Sequence, residues 1–136
     1  NATNKIKGYD QNFEGFNSST AAIRSLKATS KMLTTQLQSF LEEGGLSKKD
    51  QRALNQQLIA LEKSFLSEQG MYFGKWYKSL YASSDPFSGY AAWILPGLEY
   101  EIALKSSDRL EEWDKRYTAA ISSLELKMKQ ILQDLE

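Results

Sequence analysis

Two residue types are missing altogether: the 136-residue chain has no cysteine and no histidine. Without cysteine there is no disulfide, and no redox compartment follows. Without either residue the usual zinc ligands are gone. So is every nucleophile that imidazole would activate. Net charge is missing too. Seventeen basic and seventeen acidic residues cancel, so no global field draws the chain to nucleic acid or to an anionic membrane. No apolar run is long enough to span a bilayer, which speaks against direct membrane insertion by this segment. No signal-peptide pattern stands at the start, and that absence carries no weight for a longer parent.

What is there is ordinary for one globular domain. The apolar fraction is 41% and the charged fraction 25%, enough to build a core at this length. Asn1-Ala2 reads as a cloning remnant, so the Asn1-Ala2-Thr3 sequon is set aside. Asn17-Ser18-Ser19 is a second sequon and makes Asn17 a glycosylation candidate. The plainer reading of that triplet is a serine-rich helix cap.

Residues 1–17 are polar, with Tyr9, Phe13 and Phe16 scattered among them, and read as an irregular lead-in. Residues 18–136 read as the domain. Ser18-Ser19-Thr20 offers an N-cap to a first helix over about 20–43, with Ile23, Leu26, Leu33, Leu37 and Phe40 as its inner stripe. Gly44-Gly45 stops it. Ser47 and Asp50 form a variant capping box for a second helix, which runs to about Glu68 with Leu54, Leu58, Leu61 and Phe65 inward. The short link between the two forces an antiparallel hairpin.

Residues 70–95 have no clear period, yet they hold eight of the sixteen aromatic residues. They are Tyr72, Phe73, Trp76, Tyr77, Tyr81, Phe87, Tyr90 and Trp93. Either a short helix lies near Phe73–Leu80 or this is a binding loop. A solvated linker would not be so aromatic; these rings cover the bundle or a partner.

Pro96 suits the first turn of a third, short helix over about 96–105, with Leu98 and Ile102 inward. Ser106-Ser107-Asp108 caps a fourth helix that runs to the C-terminus. Its stripe is Leu110, Trp113, Tyr117, Ile121, Leu124, Met128, Ile131 and Leu135, a coiled-coil-like seam. Glu111 with Lys115, Glu112 with Arg116 and Glu125 with Lys129 make i,i+4 pairs on its wet side. The paired carboxylates Glu42-Glu43 and Glu111-Glu112 have no base or metal ligand near them in sequence and read as solvated face. Leu126 and Leu132 lie off the seam. This surplus apolar surface, with the aromatic connector, predicts a partner. Trp76, Tyr77, Trp93, Trp113 and Tyr117 are the interface candidates.

One arrangement goes beyond periodicity. Asn55-Gln56-Gln57-Leu58-Ile59-Ala60-Leu61-Glu62-Lys63-Ser64-Phe65 is followed by Trp76-Tyr77-Lys78, by Tyr81-Ala82, by Leu95-Pro96-Gly97 and by a long last helix. In order and spacing, over residues 50–135, this resembles the transferrin receptor-like dimerisation domain. That is the C-terminal helical domain of the transferrin receptor and glutamate carboxypeptidase II family. The resemblance implies a homodimer through this domain, contact with a protease-like domain of the same parent, and two zinc ions held in that separate domain. It implies no cofactor and no catalytic residue here. It also implies the extracellular or lumenal part of a membrane-anchored parent. In the carboxypeptidases, a Lys-Tyr pair before the Pro-Gly binds the substrate's terminal carboxylate. Here that position resembles Gly89-Tyr90, so Tyr90 is a substrate-loop candidate without the neighbouring cation.

The expected fold is all-α: a four-helix up-and-down bundle with a long aromatic-rich crossover connector between the second and third helices. The expected function is a non-catalytic dimerisation and scaffold domain of a larger carboxypeptidase-like protein. The alternative is a free-standing helical adaptor that binds a peptide or protein through its aromatic loop.

Overall fold

A computed structural model describes residues 1–136. The chain is mostly helical, with five helices: α1 (Ala2–Lys7), α2 (Asn17–Glu42), α3 (Lys48–Leu61), α4 (Pro96–Leu104) and α5 (Leu110–Asp134). A 3-10 turn, Glu62–Phe65, extends α3, and two short strands, β1 (Ala82–Ser84) and β2 (Ala92–Ile94), form an antiparallel hairpin before α4.

The expected all-α class stands, but four comparable up-and-down helices do not. Three long helices make the body. Along α2 and α5, Ser19 meets Asp114 and Thr29 meets Glu125, so the two run parallel. Along α3 and its 3-10 extension, Gln57 meets Asp134 and Ser64 meets Lys127, so α3 runs against α5. Nine-residue α4 packs on α1, β2 and α5 at the end of the body. α3 carries the chain back from the end of α2 and residues 62–109 complete the return, so α2, α3 and α5 run up, down and up.

The α5 seam is the backbone of the core. Leu110, Trp113, Tyr117, Ile121 and Ile131 are buried, and no member of the predicted stripe is exposed. Trp113, Tyr117, Ala120 and Ile121 join Met71, Leu80 and Leu98 in one cluster. All three predicted i,i+4 pairs form, at 2.6 Å for Glu111–Lys115, 3.9 Å for Glu112–Arg116 and 2.7 Å for Glu125–Lys129. Glu125, however, is not on a wet side. It is buried at the α2 seam and accepts from the Ser25 and Thr29 hydroxyls at 2.8 and 3.0 Å.

The inner face of α2 is therefore partly polar. Ser19, Thr29 and Leu33 are buried while Ile23 is exposed, a correction to the expected stripe. The N-terminus of α2 is also capped differently. Phe16 stands at the N-cap position without a side-chain cap bond. Asp114 reaches across from α5 instead, and accepts from the backbone N–H of Ser18 and Ser19 at 3.1 and 3.0 Å. An anion at a helix start satisfies orphan donors and meets the positive end of the helix dipole.

Both ends of the α2–α3 turn follow the sequence reading. Gly44 and Gly45 take φ of +102° and +80°, and the Gly45 N–H donates back to the Phe40 carbonyl at 2.6 Å, a left-handed helix stop. Ser47 accepts from the Asp50 N–H at 3.2 Å and donates to the Asp50 carboxylate. α3 ends at Leu61, earlier than expected, and buries no residue. The lead-in is not irregular throughout. α1 forms within it because Asn1 caps Thr3 and because Ile6 is fully buried. Lys5 pairs with Glu99 at 3.1 Å and holds α1 against α4.

Candidate functional site

The crossover is the candidate site, and its order comes from α5. Arg116 donates to the Ser67 hydroxyl and to the Gly70 carbonyl at 2.9 and 2.7 Å. The Tyr117 hydroxyl donates to the Leu80 carbonyl at 2.9 Å. Burial pushes the Tyr117 phenol far up, so it remains a donor. Lys78 closes the same loop by donating to the Glu68 carbonyl. Gly70 sits at φ +69°, where a Cβ would lie 2.4 Å from the Lys75 carbonyl oxygen. No helix forms over Phe73–Leu80; turns and two isolated bridges take its place.

The rings of this segment assemble into one ladder. Trp76 and Tyr77 have centroids 5.8 Å apart, and Tyr77 and Phe73 meet edge to face at 4.9 Å. Phe73 then contacts Trp93 at 6.1 Å and Tyr100 at 5.1 Å. Phe87 finishes the ladder against Trp93 and Tyr100, at 6.0 and 6.2 Å. These separations suit edge-to-face and offset packing of ring quadrupoles.

Beyond the ladder, the β1–β2 hairpin carries a tip built around Asp85. Its carboxylate accepts from the backbone N–H groups of Phe87, Ser88 and Ala91 at 2.9, 2.6 and 2.9 Å, and from the Ser88 hydroxyl at 2.6 Å. The Ser88 hydroxyl, then the backbone donors, hold this carboxyl well below the usual carboxylate range. Gly89 turns the chain at φ +75°. Tyr90 follows and is 96% exposed. Asp85 thus displays an exposed phenol on an ordered turn.

The hairpin is fixed to the body at Leu95-Pro96-Gly97. Leu95 adopts φ 56°, ψ 60°, a left-handed conformation that costs a leucine about 1–2 kcal/mol. Its N–H donates to the Tyr81 carbonyl at 2.8 Å. Gly97 lies flat on the indole of Trp113, where a Cβ would be 2.6 Å from three ring carbons. Beneath them Glu101 is 0% exposed. One of its oxygens accepts from Arg109 Nε at 2.7 Å and from Trp113 Nε1 at 3.4 Å. Arg109 in turn lies 4.3 Å over the Tyr72 ring, and Tyr72 donates to Glu112 at 2.6 Å.

The structure sorts the predicted residues into four groups. Trp76, Tyr77 and Trp93 come together in the ladder. Trp113, 0% exposed, and Tyr117, 4% exposed, are buried inside the domain as members of its core cluster. Their side chains satisfy Gly97, Glu101 and Leu80 inside the domain, which a sequence stripe does not reveal. Tyr90 stands alone at the hairpin tip. Asn17 is exposed at the first residue of α2, whereas Ser19 of its sequon is buried. Phe73 and Phe87 stood among the connector aromatics but not among the interface candidates, and Tyr100 and Asp85 were not singled out from the sequence. The signal for Asp85 was available in Asp85-Pro86-Phe87-Ser88-Gly89, a turn composition with an acceptor at its head.

No helix of the chain is long and apolar enough to cross a membrane. No group of three His, Cys, Asp or Glu residues is placed to hold a metal ion. A search of curated proteins finds no match. The family model for the transferrin receptor-like dimerisation domain matches residues 9–129, extending the resemblance through α2, well before residue 50. The chain belongs to the transferrin receptor-like dimerisation domain family, whose role is self-association rather than chemistry.

Proposed function

We propose that this chain is the assembly and support domain of a larger, carboxypeptidase-like protein that forms a homodimer through it. The observation that carries this reading is the family match over residues 9–129. In this reading the domain needs no cofactor, and the two zinc ions belong to a neighbouring protease-like domain of the same parent. The aromatic ladder and the hairpin tip face that neighbour. Two features support the assignment. Trp76 and Phe87 leave exposed apolar surface at either end of the ladder. The Asp85 turn holds Tyr90 outward at low cost in ordering.

Tyr90 is then placed to line the parent's substrate cleft. Gly89 before it offers no cation, so the loop suits a substrate end that is not read through a lysine. In the full-length protein, Tyr90→Phe should change substrate affinity and leave the melting temperature unchanged. A variant that unfolds the domain instead would show Tyr90 to be structural.

The exposed Trp76 and Phe87 also favour a second reading, a free-standing adaptor that binds a peptide or protein on the ladder. The length of the natural gene separates the two. An upstream peptidase domain supports the first, and an open reading frame near this length supports the second.

A further inference from the structure

The tip of the β1–β2 hairpin is a surface without usable charge. Between Lys78 and Lys105 the chain has no basic residue and three acidic ones, Asp85, Glu99 and Glu101. None of the three is free. Glu99 pairs with Lys5 at 3.1 Å, and Glu101 is fully buried against Arg109. Asp85 is buried in the turn, where the Ser88 hydroxyl and the N–H groups of Phe87, Ser88 and Ala91 occupy its two oxygens. A carboxylate offers about four lone-pair sites, so nothing is left to draw a cation. Lys78, the last base before the hairpin, is held by the Glu68 carbonyl. What the tip presents instead is apolar. Phe87 is 66% exposed, and Ala91 and Ala92 are exposed beside Tyr90. Phe87 is held by stacking on Tyr100 at 6.2 Å and by the edge contact with Trp93 at 6.0 Å. The Tyr90 backbone is held between the Gly89 turn and the Ala91 bond to Asp85, and its own N–H donates to the Ser88 hydroxyl at 3.3 Å.

We propose that Phe87 and Tyr90 are specificity-determining residues that read a large apolar side chain, such as leucine or phenylalanine, at the end of a peptide substrate. The inference rests on the carboxypeptidase-like reading above and adds the substrate class. An acidic or basic side chain brought against this tip gives up water and meets no counter-charge, which is costly. An apolar side chain loses only unfavourable hydration and gains contact with two rings. The tip also arrives ordered. Phe87 and the Tyr90 backbone are already fixed by their neighbours, so little freedom is lost when a side chain settles on them.

The test uses the full-length natural protein as isolated and four free dipeptides: alanyl-leucine, alanyl-phenylalanine, alanyl-glutamate and alanyl-lysine. Hydrolysis of the first two should exceed that of the charged pair by about 10-fold or more in kcat/KM, the scale of discrimination that apolar contacts supply. Tyr90→Ala should shrink that preference, chiefly through KM, and a thermal melt should show the fold kept because the ring is exposed. Phe87→Ala should shrink it too. Ala91→Lys sets a cation beside Tyr90 at an exposed position where only the backbone N–H is used. It should raise alanyl-glutamate relative to alanyl-leucine by about 5-fold or more, as a new charge-assisted contact would. A wild-type protein that favours alanyl-glutamate or alanyl-lysine would overturn the assignment. So would an unchanged preference in Tyr90→Ala and Ala91→Lys with the fold kept, and in both cases the carboxypeptidase-like reading would stand. A wild-type protein that hydrolyses none of the four would overturn that reading itself, and this inference with it.

Discussion

Gly97→Ala is a single methyl group, and the structure says where it would go. An ideal Cβ at this position falls 2.6 Å from three carbons of the Trp113 indole. That separation is well inside contact distance, and the ring cannot retreat. Trp113 is wholly buried, and its Nε1 points at Glu101. Overpacking of this kind costs about 1–3 kcal/mol. Against it stands the helix preference of alanine over glycine, up to about 1 kcal/mol in a helix interior and less in the first turn. The clash wins by about 1–2 kcal/mol, which for a domain of this size lowers the melting temperature by about 3–8 °C. Thermal unfolding followed by circular dichroism reads this directly. A second measurement isolates the cause. In a Trp113→Phe background the ring is smaller, so Gly97→Ala should cost markedly less there than in wild type, a non-additivity typical of residues in contact. An unchanged or raised melting temperature for Gly97→Ala would refute the packing argument. Equal costs in the two backgrounds would refute the role of the indole.

Three further outcomes are expected. Leu58→Ala or Leu61→Ala should cost about 1–2 kcal/mol in denaturant unfolding, less than a fully buried leucine, because α3 keeps both only half-buried; a loss under about 0.5 kcal/mol would place them on the wrong face. Tyr90→Phe should leave the denaturation midpoint of the chain unchanged, since the side chain is almost wholly exposed; a shifted midpoint would mean a structural contact. Glu125 is held below its ordinary carboxylate value of 4.5 by Lys129, then by the Ser25 and Thr29 hydroxyls. A lowered folded value means that its stabilisation is present above pH 4.5 and is lost as the pH falls through the folded value. Glu125→Gln should therefore flatten the acid limb of the stability profile, and an unchanged acid limb would remove Glu125 from that account.

Legibility in the sequence followed the physics of each element. α5 was readable because a long helix repeats its apolar signal over many turns, and every residue of its stripe faces inward or half-inward. The stop at Gly44-Gly45 and the cap at Ser47 were readable because both are local backbone chemistry. The face of α2 was misjudged at Ile23 because polar residues share the buried side. Ser19 and Thr29 are inside because Asp114 and Glu125 meet them there, and apolar spacing carries no trace of such a cross-helix bond. The hairpin escaped notice because strands of three residues show no alternation to detect. The direction of the bundle escaped too. That α2 and α5 run parallel depends on where the crossover lands, not on any periodicity within it. Trp113 and Tyr117 show the limit most plainly. Surplus aromatics on a helix predict a partner, but the partner proved to be the chain's own connector.

The account stands or falls on assembly, and one measurement addresses it most directly: sedimentation velocity of the full-length natural protein across a micromolar dilution series. The predicted result is a species of twice the chain mass, with the helical domain folded. A folded protein that sediments as a monomer throughout the series would contradict the function assigned to this domain.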